Sequence, residues 1–140
     1  MTKRGEFLLT STIIPTLRYR DASAAIEYLQ NVLGFEATLV VDGDGDVIEH
    51  AQLRHGTGMV MVSSILDNEY QKAADEGRDP TGAGNVYIVI DDPYAHAEKA
   101  RSFGANIIME PEEQDYGGAA YTLKDHEGNV WSFGSYNPWE

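Results

Sequence analysis

The sequence predicts an α+β chain built from two β-α-β-β-β modules, and three observations predict it. First, two stretches answer each other. Pro15-Thr-Leu-Arg-Tyr-Arg-Asp21, a helical run and Leu33-Gly34-Phe35 are matched by Val86-Tyr-Ile-Val-Ile-Asp-Asp92, a helical run and Phe103-Gly104-Ala105. Gly34 and Gly104 lie about 70 residues apart, too long for a solenoid repeat and right for a duplicated half-domain. Second, each helical run has the 3.6 period. Third, three short alternating segments follow each run, separated by Gly- and Asp-rich turns.

Each half opens with a strand, Ile13 to Tyr19 and Val86 to Ile90, rich in β-branched and aromatic residues. Asp21 and Asp91 or Asp92 stand where a helix N-cap belongs, and Pro93 suits the first helical position. Ala25, Leu29, Val32 and Leu33 form one apolar stripe; Ala97, Ala100 and Phe103 form the other. Gly34 and Gly104 sit at C-terminal cap positions. In the first half, strands follow at Ala37 to Val41, Val47 to Arg54 and Met59 to Ser63. In the second, they follow at Asn106 to Met109, Ala119 to Leu123 and Val130 to Phe133. The expected organisation is a single domain over residues 1–140: module one about 9–64, a linker 65–84 and module two about 85–137. Within the linker, Glu69 to Ala74 is helix-like, and Asp79-Pro80-Thr81-Gly82 ends it. One module leaves a sheet face without cover. Two modules, paired within a chain or across a dimer, are expected to cup curved mixed sheets around a cavity.

Composition removes several function classes. The net charge of −13 repels nucleic acid and anionic membrane surfaces, and attracts a cationic small molecule. Plain solubility explains the same acidity. No apolar run approaches the roughly 18 residues of a membrane span, and Met1 to Glu6 does not lead into a secretory signal. The absence of cysteine excludes disulfides, thiolate zinc sites and a cysteine nucleophile, so a cytoplasmic home is expected.

The duplicated order, with Leu17-Arg-Tyr-Arg-Asp21, Val32-Leu-Gly-Phe35, Phe103-Gly-Ala105 and Asp125-His-Glu-Gly-Asn-Val-Trp131, resembles the vicinal oxygen chelate superfamily over about residues 9–137. This superfamily includes glyoxalase I, fosfomycin-resistance enzymes, extradiol dioxygenases and bleomycin-resistance proteins. His126 replaces the proline of the family's Asp-Pro-Asp-Gly-Asn hairpin. The resemblance implies metal-ligand positions on the first and last strand of each half. They fall on Ile14, Met61, Asn85 (or Tyr87) and Ser132, which together cannot make a tight divalent site. The expectation is therefore no metal cofactor, with a divalent metal as the alternative. Asp42, Asp44 and Asp46 form a hairpin turn: Val47 and Leu53 stand where a calcium loop needs Gly and Glu.

Parity on the family pattern gives candidate ligand-binding residues: Thr16, Arg18, His50 and Gln52 from half one, and Asn85, Tyr87, Thr122, Lys124 and Ser132 from half two. Arg18 matches a substrate-contacting arginine of glyoxalase I-like members. Thr122 stands where fosfomycin-resistance enzymes have a tyrosine. His50 is the candidate acid or base, whereas His55, His96 and His126 are expected on the solvated surface. Trp131 and Phe133 are expected to pack under the helix. Tyr136 and Trp139 either flank a cavity mouth or dimer seam, or belong to an unanchored tail. Two functions stay open. One is a homodimeric binding protein for a small, cationic, partly aromatic ligand such as an antibiotic, working without metal. The other is a glyoxalase-like lyase or isomerase, or a dioxygenase, acting on a small metabolite.

Overall fold

The structure is a computed structural model describing residues 10–77, 79–82 and 84–140. The expected start of module one at residue 9, and the reading of Met1 to Glu6, lie outside the described residues. The chain divides into two compact units, Met1–Pro80 and Thr81–Glu140.

Unit one holds β1 (Thr16–Tyr19), α1 (Ala22–Asn31), β2 (Glu36–Asp42), β3 (Ile48–His55), β4 (Gly58–Ser64) and α2 (Glu69–Ala74). Its four strands form one mixed sheet in the order β1-β4-β3-β2, with β1 parallel to β4. The Asp21 carboxylate accepts from Ala24 N at 3.1 Å and starts α1. Gly34 ends the turn beyond it at φ +84°, a region where a side chain would be strained. The expected stripe is buried: Ala25, Leu29, Val32 and Leu33 are at most 7% exposed. It packs with Leu17, Tyr19, Ala51, Leu53, Val60 and Val62, the inward residues of alternating strands. Each fully buried aliphatic chain contributes roughly 1.5–3 kcal/mol.

Unit two repeats the plan with β5 (Asn85–Val89), α3 (Pro93–Ser102), β6 (Asn106–Glu113), β7 (Ala119–Lys124) and β8 (Val130–Gly134). The order β5-β8-β7-β6 is the same, and β5 runs parallel to β8. Asp92, rather than Asp91, caps the helix, and Pro93 begins it. Trp131 and Phe133 are fully buried, as expected. The Asp125 carboxylate organises the last hairpin. It accepts from Glu127 N, Asn129 N and the Trp131 indole, each at 3.0 Å. Both halves therefore have the expected β-α-β-β-β order.

Several expectations need correction. The first strand starts at Thr16, not Ile13, because Ser11 to Pro15 lack the ladder with β4 except for Met61 N donating to the Pro15 carbonyl. β6 continues past Met109 to Glu113. It is an edge strand, so Pro111 costs no central ladder bond, and the register slips around it. Phe103 is 55% exposed: it is the C-cap of α3, beyond the buried stripe. His55 packs its ring 5.2 Å from Phe35 instead of lying free on the surface.

Burial holds the His55 imidazole below its ordinary pKa, an effect its backbone hydrogen bond only partly opposes. The unfolded chain therefore takes up a proton more readily than the fold. Stability contributed by neutral His55 is present above pH 6.5 and is lost as pH falls below it through the folded value. Urea unfolding at pH 7.5 and 5 is expected to show this decline. His55→Gln should remove part of the difference between the two pH values.

Candidate functional site

Alternation along the sheet of unit one sends Thr16 and Arg18 to the face opposite α1. Thr16 stands beside Met61 and Arg18 beside Ser63; Gln52 lies across from Met61 on the other side. His50 pairs with Val41 on β2. The next ladder pair is Asp42 with Ile48, so Glu49 is left over in a β-bulge and turns toward the same side as His50.

The short helix α2 closes this face into a pocket of about 310 Å³. Thr16, Arg18, His50 and Met61 line it, as do Glu49 and Ser63. The linker supplies a wall with Leu66, Asn68, Tyr70 and Gln71. Asn68 caps α2 through its carbonyl, accepting from Gln71 N at 2.8 Å. Gln71 is 5% exposed and fastens the wall to the sheet. Its carbonyl accepts from Leu66 N at 2.7 Å, and its amide nitrogen donates to Ser63 Oγ at 3.3 Å. Tyr70 is exposed, an aromatic ring on the rim.

Charge in the pocket is uneven. The Arg18 guanidinium forms an ion pair with Asp75, just past the end of α2, and both side chains are largely buried. A second pair, Arg20 with Asp79 at 3.6 Å, ties the same segment down at an exposed position. Arg18 is thereby neutralised, while Glu49 has no ion pair among the described residues. Thr16, Arg18 and His50 are the sequence candidates that the structure brings together here. Gln52 shares the face without lining the pocket, and Ile14 lies outside β1.

The candidates of unit two share one sheet face. Tyr87, Ser132 and Thr122 stand in one row across β5, β8 and β7. Asn85 and Lys124 flank Val130 in the row at the other end. Thr122 and Ser132 join hydroxyls at 2.8 Å. The Tyr87 phenol donates to the Tyr136 carbonyl at 2.7 Å, and the Tyr116 ring meets the Tyr136 ring edge-on at 5.2 Å. The tail is therefore anchored at Tyr136, whereas Trp139 is 91% exposed. Burial, and then the neighbouring Tyr116 and Tyr136, push the Tyr87 phenol above its usual pKa, so Tyr87 is a hydrogen-bond donor at neutral pH and no base. Tyr87 lies across Gly134: an added Cβ there would sit 2.9 Å from its Cε1. Gly134→Ala is expected to displace the ring and break the bond to Tyr136, costing about 1 kcal/mol. Thermal unfolding and the near-ultraviolet tyrosine signal measure this.

At the positions where the resemblance puts metal ligands, the side chains present are poor donors for a divalent ion. Ile14 and Met61 offer no nitrogen or oxygen, and the Ser132 hydroxyl is engaged with Thr122. Among the described residues, no three His, Cys, Asp or Glu side chains gather as a metal-binding group. His96, expected on the surface, stacks 4.3 Å from buried Phe133 and meets the Tyr121 hydroxyl at 2.5 Å. It shares the stripe of Pro93, Ala97 and Ala100, a signal the 3.6 period carries. His126 is exposed, as expected, and lies 3.8 Å from Glu127.

A family model described as the Glyoxalase/Bleomycin resistance protein/Dioxygenase superfamily matches residues 12–133. Comparison with curated proteins gives no match. Among solved structures, TioX from Micromonospora sp. ML1 is 26% identical with a TM-score of 0.73, over 91% of this chain and 99% of that one. A glyoxalase/bleomycin resistance protein from Streptomyces sp. CB03234 is 15% identical with a TM-score of 0.68, over 89% and 99%. A glyoxalase I mutant from Zea mays is 23% identical with a TM-score of 0.66, over 88% of this chain and 44% of that one. The last two likenesses establish the fold alone.

Proposed function

This chain belongs to the glyoxalase/bleomycin resistance protein/dioxygenase superfamily, and from that premise we propose that it binds a small, cationic, partly aromatic ligand, such as an antibiotic, without a bound metal. The observation that carries the reading is the charge pattern of the pocket in unit one. Arg18 is offset by Asp75, Glu49 lines the pocket with no ion pair among the described residues, and Tyr70 offers an aromatic face. A cation entering there meets net negative charge and a ring able to hold it. A protein with a charge of −13 adds long-range attraction to the same ligand.

A pocket of about 310 Å³ lies at the small end of ligand sites, so it suits one ring system or one arm of a larger molecule. Thr16, Arg18 and His50 remain the proposed pocket contacts of unit one, with Gln52 proposed beside them on the same face for a ligand that extends past the pocket. Asn85, Tyr87, Thr122, Lys124 and Ser132 remain those of unit two. The proposal includes a homodimer, as in the bleomycin-resistance proteins it resembles, and light scattering at micromolar concentration tests that part. It also includes a cytoplasmic location; no helix among the described residues is long and apolar enough to cross a membrane.

One observation favours the enzymatic alternative. His50 lines the same pocket as Arg18, where it can exchange a proton with a bound metabolite. The test is a fluorescence titration with the planar cation proflavine. Saturable binding that weakens with added salt is expected. Equal or tighter binding of a planar anion of similar size would overturn the proposal.

A further inference from the structure

The linker between the two repeats has no repeat partner, yet it builds one wall of the pocket. That wall places a carboxylate on the pocket's cationic side chain. The Arg18 side chain is 13% exposed and that of Asp75 is 15% exposed, so this pair is shielded from the solvent that weakens ordinary surface pairs. Arg18 carries a permanent charge and a planar fork of donors. Left bare, it would recruit carboxylates, phosphates and sulfonates. Asp75 takes one arm of that fork, through Nη2, and sets its own negative charge against the guanidinium. It can do so because Asn68 starts α2 and Gln71 fixes it against Ser63. Arg20 with Asp79 holds the following residues of the same segment to the end of β1.

We infer that Asp75 is the specificity-determining residue of this pocket: by occupying Arg18 it excludes anionic ligands and leaves the choice of charge to Glu49. This rests on the reading of the pocket as a ligand site, and it adds the device that sets ligand charge. Specificity of this kind comes from opposing the wrong ligand as much as from attracting the right one. An anion reaching Arg18 meets the Asp75 carboxylate already paired with it in a partly buried place, and like charges repel. A cation meets no such repulsion from Asp75. Asp75→Asn keeps the size of the side chain and removes its charge. It therefore leaves the Arg18 charge uncompensated beside the pocket while Glu49 stays as it was.

The test uses two probes with the same ring and opposite charge, 2-naphthoate and 2-naphthylmethylammonium. Both are titrated calorimetrically into the full chain, its Asp75→Asn variant and the Arg18→Met/Asp75→Asn double variant. The expected result is a shift of the affinity ratio toward naphthoate by about tenfold or more in Asp75→Asn. The double variant should lose that shift. An unchanged ratio in folded Asp75→Asn, or a shift that survives loss of Arg18, overturns the inference. Should Asp75→Asn fail to fold by circular dichroism, Arg18→Met alone decides. It removes the cation paired with Asp75 and must raise the preference for the ammonium probe, and no rise overturns the inference. The two ideas fail separately. Wild-type protein that ignores the cation while Asp75→Asn gains the anion defeats the proposed ligand class and leaves the role of Asp75 standing. Wild-type protein that binds the cation while Asp75→Asn gains no anion does the reverse. No binding of either probe by any variant defeats both.

Discussion

Trp131→Ala is expected to destabilise the protein by about 3–5 kcal/mol, measured by urea unfolding. Trp131 is fully buried and is the largest buried side chain among the described residues. Removing it opens a cavity between the sheet of unit two and its surroundings. It also removes the indole donor that holds Asp125 at 3.0 Å. Asp125 is 6% exposed, and its carboxylate loses one of its hydrogen-bond donors. A buried acceptor that loses its partner adds its own desolvation cost. Trp131→Phe separates the terms, since it keeps most of the volume and loses the hydrogen bond. It should cost roughly 1–3 kcal/mol. Equal effects from both variants would show that volume contributes little and would contradict this account of the core.

The largest expected effect on binding comes from Glu49→Lys. The bulge in β3 places Glu49 at the pocket, and no cation among the described residues pairs with it. Reversing its charge should weaken binding of proflavine by about tenfold or more at low salt. The effect should shrink as ionic strength rises, because Glu49 is exposed enough to be screened. Glu49→Gln should fall between the two. Stability should barely change, since Glu49 buries little surface. Proflavine titrations in low and high salt measure this, and an unchanged affinity in low salt would remove Glu49 from the site.

The fold was readable because period, caps and glycines agreed. Asp21, Asp92, Pro93, Gly34 and Gly104 all do the local work their types suggest. Two errors on the second helix share one cause. The α3 stripe includes His96 and ends before Phe103, and a period followed through apolar residues alone skips a histidine and runs one residue too far. The site was half readable. Alternation placed Thr16, Arg18 and His50 on one face because a strand period of two is strict. It could not find Glu49, whose place depends on a bulge that breaks the alternation. Tyr70, Gln71 and Asp75 come from a linker without a repeat, and their role follows from where α2 rests on the sheet. Asn68, three residues before Gln71, was the available signal: a capping residue marks that linker helix as built. The pairing of Arg18 with Asp75 has no local signature, since the two residues are joined only through the tertiary structure.

The proposed function requires that the positions where the resemblance puts metal ligands hold no metal. Calorimetric titration of metal-stripped protein with Ni²⁺, Zn²⁺, Mn²⁺ and Fe²⁺ tests it most directly. The account predicts no stoichiometric binding of any of these ions at micromolar concentration. One equivalent bound with micromolar or tighter affinity would contradict it, and would make a metal-dependent enzyme the better reading of Ile14, Met61, Asn85, Ser132 and their neighbours.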